Sequence, residues 1–253
     1  MSSLHFYDCN CLVGTRNDPP LWAVCDPEGI LREMDLCGVE RAWACHYLCL
    51  DCHPCAGNAE MLTVSREHPR LRPVYAAMPH HTGEFPEPRA LIEDMRASGV
   101  QMLRLFPKYN ANTFSLSDWS CGPLFEELEA RGVPVLLDAG QTDWETVHAV
   151  CQNHPALKLI MTNVYYRNLR YVIPLLRLHK ELYLETSGLK ICNGLDETAK
   201  LAGAEKLIFG TGLGELSAGS AVCIVLYSAL SDEDKALVAS GNLLRMLGEE
   251  RLS

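Results

Sequence analysis

Basic residues are scarce in this chain: 22 Lys and Arg stand against 32 Asp and Glu, a formal net charge of −10 over 253 residues. Neutralising a phosphate backbone takes clustered Lys and Arg, so no nucleic-acid partner is expected. Apolar runs of the ~18 residues that would suggest a bilayer span are missing too, which argues against a membrane segment. No low-complexity tract or linker interrupts the chain. Nor does a basic-then-apolar leader open it, because Met1-Ser2-Ser3-Leu4 runs straight into a β-rich segment. A cytoplasmic protein is the expectation.

Cysteine, by contrast, is plentiful, with twelve residues. In a small secreted chain that number would signal a disulfide framework, but this chain is large and shows no export signal, so reduced thiols are expected. Cys37, Cys151 and Cys223 lie among Leu, Val and Ala in helix-like contexts and are read as small core hydrophobes.

Short β-rich runs alternate with amphipathic helical runs from end to end, the pattern of repeated βα units around a parallel sheet. Strands are expected over 5–11, 41–47, 71–78, 102–106, 133–138, 158–163, 182–186 and 206–210. Helices are expected over 26–37, 58–68, 88–97, 122–131, 143–153, 169–178 and 232–247. Asp26-Pro27 and Ser231 supply helix starts and Gly38 a stop, while Pro174 should kink its helix or mark a boundary. Eight strands without a linker predict one domain over 1–253, a single (β/α)8 barrel of the TIM type.

Tyr7-Asp8-Cys9-Asn10-Cys11-Leu12-Val13-Gly14 reads as a buried first strand ending in a Gly turn. Together with Val39-Glu40-Arg41-Ala42, Gly57-Asn58, His68-Pro69-Arg70-Leu71-Arg72-Pro73, Ile208-Phe209-Gly210-Thr211 and Gly241-Asn242, it resembles the amidohydrolase-related barrels, metal-dependent hydrolases and decarboxylases of small molecules. The resemblance implies a divalent metal, commonly zinc, at the C-terminal mouth, where it acidifies a water into a nucleophile. Its ligands are two His of strand one, a His of strand five, often a His of strand six, and an Asp of strand eight. Those positions fall here on Asn10 and Leu12, Asp138, Asn163 and Gly212. Only Asp138 remains a strong ligand, so the inherited zinc site is expected to be absent.

Residues at the C-terminal strand ends still face the mouth, where this fold carries its chemistry. Asp8, Asn10, Arg104, Lys108 and Asn163 are candidates for binding a polar or anionic molecule, with Arg167 on the loop after strand six gripping a carboxylate. Asp138 or Glu185 would serve as base, and His46 or His80 as the acid partner. A separate cluster, Cys45-His46-Tyr47-Leu48-Cys49-Leu50-Asp51-Cys52-His53-Pro54-Cys55, falls on the loop after strand two. Cys45, Cys49, Cys52 and Cys55 have spacings at which thiolates hold zinc or an iron–sulfur cluster.

Three readings stand open on these residues. One is a divergent hydrolase or lyase acting on a small polar or anionic molecule. Another is a non-catalytic barrel that kept a small-ligand pocket, and the third is a barrel carrying zinc or a cluster on the cysteine loop. Homodimer formation is compatible with each.

Overall fold

Apolar, β-branched runs too short for a helix become strands here, and each is joined to the next by a helix with one apolar face. The computed structural model describes residues 4–16, 19, 21–108 and 111–249. Its strands are β1 (Phe6–Val13), β2 (Val39–His46), β3 (Leu71–Ala77), β4 (Met102–Leu105), β5 (Val135–Asp138), β6 (Leu159–Thr162), β7 (Leu182–Glu185) and β8 (Leu207–Ile208). They pair in parallel in sequence order. The segment after β8 returns to β1: the Cys9 N–H donates to the Phe209 carbonyl at 3.1 Å, Gly212 to Asn10 at 2.9 Å and Leu12 to Leu213 at 2.8 Å. These bonds close the ring, and the chain is a single (β/α)8 barrel.

The outer layer comprises α1 (Pro27–Cys37), α2 (Leu48–Asp51), α3 (Pro54–Glu67), α4 (Pro88–Ala97), α5 (Asp118–Arg131), α6 (Trp144–Asn153), α7 (Leu169–Leu178), α8 (Gly194–Ala202), α9 (Ala218–Leu226), α10 (Asp232–Ala236) and α11 (Asn242–Leu247). Local chemistry sets the ends of several. Asp26 accepts from the Gly29 N–H at 2.8 Å and Pro27 takes the first turn of α1, as the dipeptide predicted. Asp143 caps α6 through the Thr146 N–H at 2.8 Å, and Ser231 caps α10 through Asp234 at 3.0 Å.

Side chains alternate across the strands and build two packed zones. Tyr7, Cys9, Trp43, Val74, Met102 and Ile160 fill the barrel interior. Val13, Leu71, Leu103, Val135 and Leu159 pack outward beneath the helices. Each such side chain contributes roughly 1.5–3 kcal/mol by leaving water. β1 departs from strict alternation, because its pairing with β2 shifts register between Asp8 and Cys11. Cys9 packs into the interior, and the next residue, Asn10, also reaches across the barrel to β4 and β7. This bulge lets β1 serve both the core and the mouth.

Two expectations are refined and two corrected. α7 runs through Pro174, so the proline marks no boundary, and burial of Val172 and Leu176 offsets the one backbone bond it removes. The last helix spans Asp232 to Leu247 as expected, with Leu237–Gly241 widened into a π-helix between α10 and α11. Helices α8 and α9 were not foreseen; α9, an apolar run of small and β-branched residues, is helical because it packs on α1. Cys151 is buried as expected, whereas Cys223 is exposed and Cys37 only partly covered, since α9 turns Ala218, Ala221, Val222 and Val225 inward instead.

Candidate functional site

Two layers of polar side chains occupy the C-terminal mouth of the barrel. The lower one is buried. Asp8 accepts hydrogen bonds from the Asn10 N–H at 2.8 Å and from the Thr211 N–H at 2.9 Å, and the Thr211 hydroxyl donates to its other oxygen. Asn10 spans the barrel axis: its amide nitrogen donates to Glu185 at 3.0 Å and its oxygen accepts from Arg104 at 2.9 Å. Glu185, at the end of β7, also accepts from the Ser187 hydroxyl at 2.8 Å and the Ser187 N–H at 2.5 Å. Burial pushes Asp8 up to about 6 and Glu185 up to about 7, while their hydrogen bonds pull both back toward ionisation.

Arg104 belongs to both layers. It is only 2% exposed, its guanidinium lies 5.3 Å from the Phe106 ring centre, and its Nε has no hydrogen-bond partner among the described residues. Arg104 also lines a cavity of about 310 Å³ whose walls include Arg16, Lys108, Asp138, Gln141 and Glu215. These form the upper layer, the rim. Asp138 accepts from the Gly140 N–H at 2.6 Å and from the Asn163 side-chain amide. Asn163 makes that contact from a left-handed backbone, φ 54°, which Asn tolerates better than most residues. Arg16 pairs with Glu215 at 2.5 Å, joining the loops after β1 and β8 across the rim, and Gln141 accepts from the Lys108 N–H at 3.0 Å.

Of the residues singled out from sequence, Asp8, Asn10, Arg104, Lys108, Asp138, Asn163 and Glu185 come together here. His46, His80 and Arg167 do not line the cavity. The His46 ring lies where a Cβ on Gly14 would sit, 2.1 Å from Nε2, so glycine is required at the turn. Its Nδ1 accepts from the Leu48 N–H at 3.2 Å, and burial lowers its pKa, which favours a neutral ring. His80 faces Glu87 at 3.1 Å with its ring tilted against that of His81, while Arg167 donates to the neighbouring Tyr166 hydroxyl at 3.1 Å. Arg16, Gln141, Thr211 and Glu215 escaped the sequence reading. Their signal was position alone: Arg16 and Glu215 follow the Gly turns after β1 and β8, on loops that open at the active face.

The positions that would carry a family metal are otherwise engaged or empty of donors. Asn10 spends both amide atoms on Arg104 and Glu185, Leu12 is apolar, Gly212 has no side chain, and Asn163 is bonded to Asp138. Cys45 and Cys49 are buried while Cys52 and Cys55 are exposed. Among the described residues, no group of three or more His, Cys, Asp or Glu side chains is arranged to hold a metal ion.

Residues 57–248 match the family model described as amidohydrolase. No curated protein matches the chain. Among solved structures, an uncharacterised TIM-barrel protein from Bordetella bronchiseptica is 16% identical, with a TM-score of 0.76 over 97% of this chain and 99% of that one. The 5-carboxyvanillate decarboxylase LigW from Sphingomonas paucimobilis is 14% identical, with a TM-score of 0.74 over 98% and 100%. A dihydroxybenzoic acid decarboxylase from Polaromonas, solved with manganese and 2-nitroresorcinol, is 15% identical, with a TM-score of 0.74 over 97% of each chain. At such identities the likeness establishes the shared barrel.

Proposed function

The chain belongs to the amidohydrolase family, and on that footing we propose that it is a metal-independent hydrolase or lyase acting on a small carboxylate held at the barrel mouth. The observation that carries this reading is Arg104, a guanidinium almost wholly buried, with Nε unpartnered, facing a cavity of about 310 Å³. Its planar fork of five N–H donors matches a carboxylate, and a buried cation gains most from an anion that completes its hydrogen bonds. The cavity lies near the lower end of the ~300–1,000 Å³ typical of ligand sites, so the ligand is small. Decarboxylases of aromatic acids among the structural neighbours favour a carboxylate over other anions.

A divalent cation does not fit the donor set. Asn10, Leu12, Asn163 and Gly212 replace four of the five expected ligands, and the Arg104 charge next to Asn10 would repel the ion. Chemistry therefore falls to side chains. Arg104 and Lys108 orient the carboxylate, the buried layer keeps Arg104 in place through Asn10, and Asp138 exchanges a proton with the substrate. Gly140 and Asn163 fix the Asp138 carboxylate for that role. A second reading, binding without turnover, draws support from the same bonds, because both Asp138 oxygens are engaged and, among the described residues, no histidine lines the cavity.

Calorimetry and turnover assays with benzoate and dihydroxybenzoates, on chelator-treated protein, separate these readings. Binding should weaken about 10- to 100-fold in Arg104→Met, the worth of hydrogen bonds to a charged group. Turnover by untreated protein that collapses with chelator and returns with manganese would overturn metal independence. Binding that survives in wild type without any turnover, and is unchanged in Asp138→Asn, selects the second reading.

A further inference from the structure

Arg104 and Asp138 stand on neighbouring strands with opposite charges, yet they do not pair. In the β4–β5 register Arg104 lies beside Leu136, which packs inside the barrel. Asp138 is two residues further along β5, at its C-terminal end, and so projects from the same inner face. At ~3.3 Å per residue and ~4.8 Å between strands, the two Cα atoms are roughly 8 Å apart, within the reach of an arginine. Each side chain is nonetheless bound elsewhere. Arg104 donates to the Asn10 side-chain oxygen on β1 at 2.9 Å, and Glu185 reaches it only through the same Asn10. Asp138 is held by the Gly140 N–H at 2.6 Å and by the side-chain amide of Asn163, just past β6. These direct partners are all uncharged. Among the described residues, no carboxylate is in ion-pair contact with Arg104 and no cation with Asp138.

Both groups open on the mouth cavity of about 310 Å³, whose remaining charged walls are Arg16, Lys108, Asp51 and Glu215. Arg16 and Glu215 answer each other at 2.5 Å. A ligand carrying only a carboxylate would complete Arg104 but bring a second negative charge toward Asp138.

We infer that the carboxylate ligand proposed above also carries an ammonium group: it is a short amino acid whose carboxylate sits on Arg104 and whose ammonium sits on Asp138, an assignment that rests on the mouth being a carboxylate site. Asp138 can accept that group and keep its present bonds, because two carboxylate oxygens offer about four lone-pair sites and Gly140 and Asn163 take one each. An ammonium matches the vacant sites with three donors on a compact charge. Leu12, Leu50 and Phe106 line the same cavity and would cover the carbons between the two poles. The contact also places the most acidic protons of the ligand on the residue assigned to proton exchange.

Calorimetry on full-length, chelator-treated protein tests this at about pH 7, where a carboxyl is ionised and an alkyl ammonium protonated. Glycine, β-alanine and γ-aminobutyrate are each compared with the isostere in which methyl replaces the ammonium: propionate, butyrate and valerate. At least one amino acid should bind about tenfold or more tighter than its isostere, the worth of hydrogen bonds to a charged group. In Asp138→Asn that advantage should shrink to about threefold or less, while the isosteres bind as well as before or better, since a negative charge has left the wall. Asp138→Ser replaces that variant if it folds poorly. Isosteres that match or outbind all three amino acids in wild type would overturn the inference and leave the carboxylate site standing. An advantage that survives without the Asp138 carboxylate would overturn it too. If none of the six acids binds, the carboxylate reading of the mouth falls, and the amino-acid assignment falls with it.

Discussion

The two polar layers of the mouth differ in how they meet the cost of polarity. In the buried layer Asp8, Asn10 and Glu185 bond to one another's neighbours until Arg104 Nε is left as the orphan. The rim works with solvent nearby: Arg16 and Glu215 retain 26% and 35% of their side-chain exposure, and Asp138 is half-buried. Buried polar groups lose heavily when a partner goes, whereas exposed pairs lose little. The lower layer should therefore dominate stability and hold the anchor, and the rim should tune what reaches it.

Asp8→Ala is the severest way to test that division. It strips the partners from the Asn10 and Thr211 N–H groups and from the Thr211 hydroxyl, all in the interior. Each buried donor left unpaired costs about 1–3 kcal/mol, and Thr211 lies in the segment that closes the barrel, so a loss above ~3 kcal/mol is expected in urea unfolding. Asp8→Asn should recover part of it. A loss below ~1 kcal/mol would mean that the buried layer is not the structural element it looks to be.

Next in size is a pH effect at Glu185, whose carboxyl is raised from 4.5 to about 7. A raised acid pKa means that the folded state keeps its proton where the unfolded chain has released it. Stability then falls as pH rises from the unfolded value through the folded one, and is level above it. At 1.36 kcal/mol per unit, the window from 4.5 to about 7 is worth about 3 kcal/mol. Glu185→Gln mimics the neutral acid, so wild type should lose ground to the variant across that window and hold level beyond pH 7. Asp8 couples to Glu185, so the observed midpoint belongs partly to the pair. His46 and His179, both shifted down by burial, are common to the two proteins, and their own acid-side losses largely cancel in the difference. A difference flat from pH 4 to 8 would remove the charge cost from the buried layer.

How much of this was legible beforehand follows the same division. Strand ends are fixed by periodicity and barrel geometry, so Asp8, Asn10, Arg104, Asp138 and Glu185 could be gathered from sequence before any coordinates. Loop paths are not fixed in that way. His80 was drawn toward Glu87 and His46 was turned back against Gly14, contacts that no local pattern encodes. The Arg16–Glu215 pair joins residues 199 apart through two Gly turns. The cysteine spacing suggested convergence, yet α2 is a single turn that sends Cys49 inward and leaves Cys52 outside.

The smallest effect expected is at that rim pair. Glu215→Gln removes a partly exposed ion pair, worth at most about 1 kcal/mol, so the unfolding midpoint should barely move. It also frees the Arg16 guanidinium and takes one negative charge from the cavity wall. Benzoate affinity should therefore rise, by no more than about threefold at low ionic strength, and the gain should fade toward 1 M salt as the Debye length shrinks to about 3 Å. Arg104→Met, acting on a desolvated contact, should keep most of its deficit in the same salt. If the two substitutions screened alike, Arg104 would be behaving as one more rim charge, and the distinction between the layers would fail at the residue that joins them.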